Sequence, residues 1–268
     1  MDFWFLFWGL LQAICFISIF QTITFFFIAR FDNPGIVDLG WSIGIWLLGL
    51  FYFIRFSVDL NVLQNIPALV TVTLLTIWML RLAVYLFLTR IKLGHKDKRY
   101  MAMYEKWGDN ALWMMWLSCQ FQGLCQFILS FSFLFVFIQI DSTINIFLLS
   151  LASVLFLFFL IFEVLADQQL TQFKKTAKKK DFCNTGLWYY SRHPNYFFEI
   201  FVWVSITLIS FSYPFGFLSL LGPLFLYLIM KFMTAPISER STLKRCGKAY
   251  QNYQNSTPII FLNLLKKT

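Results

Sequence analysis

The chain has 268 residues, of which 59% are hydrophobic and 21% aromatic, and a formal charge of +9. A soluble core of this size has no room for 35 Phe, whereas a bilayer accommodates them. An ordinary soluble domain is therefore excluded, and the length suits one membrane domain over 1-268 with no second globular unit.

About 20 apolar residues cross the hydrocarbon layer as a helix. Runs of that kind predict an all-α, polytopic fold with about seven transmembrane helices, over 3-29, 40-55, 66-89, 111-139, 144-166, 196-212 and 214-232. The first run has no basic residues before it and is too long for a cleaved signal peptide, so it reads as a retained helix. The last two runs are separated only by Ser212-Tyr213-Pro214, a tight turn.

Charge orients these helices. The loop 90-106, the segment 167-193 and the tail from 231 together carry 19 of the 22 basic residues. All three follow odd-numbered helices, and the opposite loops hold little beyond Arg55, Asp59 and Asp141. The positive-inside rule then puts the C-terminus in the cytosol and the N-terminus outside. It also accounts for the basic excess without nucleic acid as a partner. Membrane lipids are the expected surroundings, and the Lys178–Lys180 run reads as solvated or resting on lipid phosphates.

Metal chemistry finds no ligands in this pattern. The five cysteines (Cys15, Cys119, Cys125, Cys183, Cys246) form no CxxC pair, and His95 and His193 are the only histidines. No GxGxxG or Walker sequence is present, so a nucleotide would be held between membrane helices rather than by a Rossmann domain.

Ionisable groups inside spanning helices cost several kcal/mol unless paired, hydrated or functional. Here they gather near the cytosolic ends. Glu163 and Asp167 lie four apart at the end of helix five and share a face, and Asn195 and Glu199 repeat that spacing at the start of helix six. Arg81 lies within helix three, and Asp38 opens helix two. One reading is interhelical glue. The other is a polar cavity reached from the cytosol, where carboxylates and Asn meet hydroxyl and amide groups and Lys or Arg meets phosphate. The block Gly186–Glu199, GLWYYSRHPNYFFE, adds to it: Pro194 begins a helix, so Asn195, Tyr196 and Glu199 fall in its first turns, with Arg192 and His193 just before.

Over most of the chain, these residues resemble an uncharacterised bacterial membrane family allied to the steroid 5-alpha-reductase C-terminal domain, with 120-262 as the reductase-like C-terminal region. The resemblance is carried by the SRHPNY block, by Glu163-x-x-x-Asp167, and by Glu239-Arg240 with Tyr250 and Tyr253 in the tail. Further matching pieces are Asp38-Leu39-Gly40-Trp41, Arg81 with Arg90, Asp97-Lys98-Arg99-Tyr100 with Trp107-Gly108, and Phe121-Gln122-Gly123. It implies a seven-helix bundle in a bacterial inner membrane, with NADPH in a cytosol-facing cavity. The C=C bond of a small lipophilic, lipid or steroid-like substrate would be reduced there.

The same resemblance implies cofactor-binding roles for Glu163, Asp167, Lys174, Tyr190, Arg192, His193, Asn195, Tyr196, Glu199 and Arg240. Asn195 and Glu199 match positions beside the nicotinamide carboxamide, Asp167 the adenosine end, and Lys174 a phosphate-binding Arg. The steroid enzymes polarise their substrate with a Glu and a Tyr. Trp78 stands where that Tyr would be, so Tyr85, one turn beyond Arg81, and Asp38 are the catalytic candidates. An RHPxY block with a similar tail also resembles isoprenylcysteine and phospholipid methyltransferases, whose cofactor is S-adenosylmethionine. A non-enzymatic lipid-binding protein is the third expectation.

Overall fold

A computed structural model describes residues 3–57, 62–91, 98–138, 145–178 and 180–265, with only the backbone described for 62–64, 90–91 and 98–99. His95, Asp59, Asp141, Lys179 and much of the first basic loop lie outside the described residues.

Every element described is helical. Helix α1 (Phe3–Phe31) turns through residues 32–35 into α2 (Ile36–Tyr52), which ends in a π turn, Phe53–Ser57. Helix α3 (Val62–Leu86) closes with a second π turn, Phe87–Ile91. A short α4 (Lys98–Trp107) leads into α5 (Ala111–Phe137), followed by α6 (Ile146–Thr176). One helical turn, α7 (Leu187–Tyr190), precedes α8 (Pro194–Ser210). The last span runs through a 3-10 turn (Gly216–Leu220), α9 (Leu221–Ile229), a π turn (Met230–Thr234) and α10 (Ala235–Cys246); α11 (Lys248–Ser256) caps it.

Six of these helical stretches are long and apolar enough to cross a membrane. Their outer faces present Phe3, Trp4, Phe26, Phe147, Val154 and Phe232 to the surroundings, as a lipid-facing surface must. The seventh run is the exception in length. α8 has only 17 residues, about 25 Å. It lies along α6 and against α5 and α9, and Val202, Trp203, Ile206 and Thr207 are fully buried. The protein is thus a multi-pass integral membrane protein, with α8 sheathed by longer neighbours.

Several elements extend past the expected bounds. α6 continues ten residues beyond 166, and the last span continues beyond 232 to Cys246. Apolarity marks where lipid ends, but backbone hydrogen bonds carry the helix on. Gly247 stops the last span with φ +57°, a conformation that only glycine adopts readily.

Within the bilayer region, small residues let helices close up. A Cβ on Gly44 would lie 2.6 Å from the Gln126 amide nitrogen. That amide donates to the Gly40 and Trp41 carbonyls at 2.9 Å and accepts from Gln21 at 2.7 Å. α1, α2 and α5 are thus joined by one buried amide pair. The amphipathic α4 turns Tyr100, Met103, Tyr104 and Trp107, spaced for one helix face, toward Ile28, Val37, Met115 and Cys119.

Candidate functional site

α3, α6 and α8 meet around charged groups, because each carries its polar residues at helical spacing. Arg81 of α3 donates to Glu163 at 2.5 Å and to Asp167, one turn further along α6. Asp167 also accepts from the Asn195 amide at 3.2 Å, which brings in the first turn of α8. Glu199, one turn along α8, accepts from the indoles of Trp78 at 3.1 Å and Trp203 at 3.0 Å. The two indoles pack edge to face, 5.0 Å apart. Three carboxyl groups and one guanidinium are therefore enclosed together.

Not every atom in this cluster is satisfied. The outer oxygen of Glu163, Oε2, and Oδ1 of Asn195 are buried without a hydrogen-bond donor among the described residues. A bare buried acceptor costs about 1–3 kcal/mol unless a partner satisfies it. Each of the two suits an amide N–H₂ or a hydroxyl. Tyr85 reaches the same place, with its ring 5.8 Å from the Arg81 guanidinium.

A second cluster sits beside the first, toward the chain's tail. Gly186 has φ +60°, and a Cβ there would meet the Gln169 side chain at 2.7 Å, so both torsion and space require glycine. The Gln169 carbonyl instead accepts from Leu187 N–H at 2.9 Å and starts α7. Ser191 is extended, and His193 (φ −139°, ψ 67°) lies outside the helical region, as Pro194 demands of the residue before it. The segment is then clamped: Arg192 N–H donates to the Pro258 carbonyl at 2.9 Å, Ser191 Oγ to Ile260 at 2.7 Å, and Asn263 N–H to Tyr190 at 2.9 Å. Tyr253 adds donation to the Ser191 carbonyl at 3.2 Å.

This clamp brings Arg192 and His193 onto one carboxylate. Glu239 Oε1 lies 2.9 Å from Arg192 Nε and 3.1 Å from His193 Nε2, while its other oxygen accepts from Gln254 at 2.8 Å. Tyr196 stacks on the His193 ring at 4.8 Å.

The expected residues thus divide. Glu163, Asp167, Asn195 and Glu199 come together with Arg81 and Tyr85. Arg192, His193 and Tyr196 belong to the neighbouring Glu239 cluster, and Tyr190 is half-buried against Tyr189. Lys174 lies exposed on the last turns of α6, about 10 Å along the helix from Asp167. Two further expected residues lie apart from both clusters. Arg240 is turned outward and exposed, and the buried neighbour Glu239 takes its place in the site. Asp38 accepts from Tyr100 at 2.8 Å and so holds α4 to the bundle. Trp203 was not anticipated, although its position four residues after Glu199 puts both on one face.

Outside the membrane spans, burial pushes the Cys183 thiol and the Tyr250 and Tyr253 hydroxyls up from their ordinary values. Phe182, Asn184, Tyr189, Asn252 and Tyr253 line an open cavity of about 410 Å³ there. Among the described residues no group of three or more potential ligands is placed to hold a metal ion.

No curated protein and no solved structure matches the chain. Residues 24–257, which take in α2 to α11 and both clusters, match a family described as protein of unknown function, DUF1295. The chain belongs to that family.

Proposed function

We propose that the protein is an NADPH-dependent membrane reductase that saturates a C=C bond of a small lipophilic substrate, akin to the steroid 5-alpha-reductases. We place it in a bacterial inner membrane, with this site open to the cytosol and the N-terminus outside. The observation that carries the reading is that two buried acceptors of the Arg81 cluster, Glu163 Oε2 and Asn195 Oδ1, have no donor among the described residues. A carboxamide N–H₂ supplies the donors that these two atoms lack. Ribose hydroxyls suit the Asp167 carboxylate, and Lys174 and Lys175, exposed at the end of α6, suit phosphates at the rim.

When bound, NADPH supplies a hydride. The protein's part is position and proton. Asn195 and Glu163 fix the carboxamide plane. Glu199 stays oriented by Trp78 and Trp203, whose bulk excludes water from the inner wall. Where the C=C bond is conjugated with a carbonyl, hydride would add to the β-carbon, Tyr85 beside Arg81 would donate its proton to the carbonyl oxygen as negative charge develops there, and the enol would tautomerise to the saturated carbonyl compound. Asp38 has no part in this scheme.

One observation favours a rival. Three carboxyl groups against one guanidinium suit a sulfonium cation, so an S-adenosylmethionine-dependent lipid methyltransferase is the second reading. Thermal unfolding of the purified protein separates them. A ligand at one hundred times its Kd adds about 2.7 kcal/mol of stability. NADPH is expected to stabilise the wild type and to have no effect on Asn195→Ala or Glu199→Gln. Stabilisation by S-adenosylmethionine alone would replace the reductase with the methyltransferase, and a response to neither would leave lipid binding without catalysis.

A further inference from the structure

α2 begins at the Asp38 end of the bundle and leaves it at Arg55, 17 residues and about 25 Å away. Against a hydrocarbon layer of about 30 Å, that separation sets Arg55 near the polar boundary opposite Asp38. A groove of about 450 Å³ starts there and follows α2 inward between α1 and α2. Its walls are Phe16, Leu47, Leu50, Phe51 and Ile54, and Phe16 stacks on Phe51 at 5.4 Å. Leu47 marks a depth of about 12 Å from Arg55.

Arg55 is held in place rather than free to extend. Its Nε donates to Gln12 at 3.2 Å, and its guanidinium lies 3.8 Å from the centre of the Phe5 ring. Its two Nη groups have no hydrogen bond or ion pair among the described residues. An oriented guanidinium with two free N–H₂ groups, at the mouth of an apolar channel in a membrane span, matches one chemistry. The N–H₂ groups bind a phosphate oxygen pair, and the channel takes an acyl chain.

We infer that this groove is a binding site for an anionic phospholipid, with its phosphate on Arg55 and one acyl chain between α1 and α2. Charge complementarity selects the lipid. Zwitterionic phosphatidylcholine offers the same chains and a phosphate, but its choline shields the phosphate and adds a positive charge near Arg55. The site lies at the end of the bundle away from Arg81 and Glu199 and stands whether or not the protein is a reductase.

The test is native mass spectrometry of the purified full-length protein, titrated with phosphatidylglycerol or phosphatidylcholine of identical chains. Wild type is expected to prefer phosphatidylglycerol. Arg55→Gln should weaken that binding by at least about tenfold and leave phosphatidylcholine unchanged. Leu50→Trp, which fills the channel but keeps the charge, should weaken both lipids. The basic segments at the other end also attract anionic lipid. Unaltered phosphatidylglycerol affinity in Arg55→Gln would assign all selectivity to them and overturn the inference. A wild-type dimer that Arg55→Gln converts to a monomer would also overturn it, giving the groove to a second copy of the chain. If Arg55→Gln elutes as aggregate, Arg55→Lys serves, with an expected partial loss.

Discussion

Arg81 neutralises two carboxylates on one face of α6, and its replacement would strand both. Arg81→Met is expected to cost about 3–5 kcal/mol, seen as a lowered thermal midpoint in detergent, because uncompensated buried charge is the expensive outcome. Tyr85→Phe removes only a hydroxyl and should cost about 1 kcal/mol, while abolishing turnover in the proposed reductase, where that hydroxyl is the proton donor. Half of this site was legible in the sequence. Glu163 with Asp167 and Asn195 with Glu199 declare themselves by four-residue spacing. Their partners do not, since Trp78 and Arg81 lie more than 80 positions from the groups they meet. No local pattern reports so distant a contact. The same limit explains Asp38, whose acidity within an apolar helix suggested chemistry while Tyr100 had the use of it.

Among the elements, α2 is the most constrained. Gly44→Leu would drive a side chain into the Gln126 amide and disturb its bonds to Gly40 and Trp41. Overpacking of this kind costs about 1–3 kcal/mol, and the thermal midpoint should drop accordingly. The cap formed by α11 has its own signature. Burial raises the Tyr250 and Tyr253 hydroxyls above the ordinary 10.0, so the folded state keeps their protons longer than the unfolded state. Their contribution is therefore intact below about pH 10 and is lost as pH rises further. Ultraviolet titration should show Tyr250 and Tyr253 among the tyrosines that ionise late, together with release of α11 to protease. An early, simple titration of all eleven would contradict this packing. Helix existence was legible from apolar runs, but helix ends were not. α6 and α10 outrun their apolar stretches, because the bilayer boundary and the backbone boundary are set by different forces.

At the scale of the whole molecule, the segregation of basic residues carries the proposed orientation. Cys246, half-exposed at the end of α10, reports on it. A membrane-impermeant maleimide should modify Cys246 in inverted vesicles and not in intact cells. Cys183, buried and with its thiol pushed up, should react much more slowly from either side. Modification of Cys246 from outside would reverse the topology and place the Arg81 cluster on the other face. Seven apolar helices were readable from composition because lipid imposes a length, and six of them are long enough to cross. That α8 is the short, enclosed member was not, since only the packing of its neighbours makes about 25 Å sufficient.

The clamp over residues 190–193 has a consequence for biosynthesis. Its fasteners are the carbonyls of Pro258 and Ile260 and the N–H of Asn263, all more than 60 positions later in the chain. While the ribosome is still adding α9 to α11, Arg192 and His193 wait without Glu239, and the polar entrance stands open between half-assembled helices. The bundle can enter the membrane in order of synthesis, but this corner closes only after its distant partners emerge. A nascent chain is thus competent for insertion well before this corner is complete.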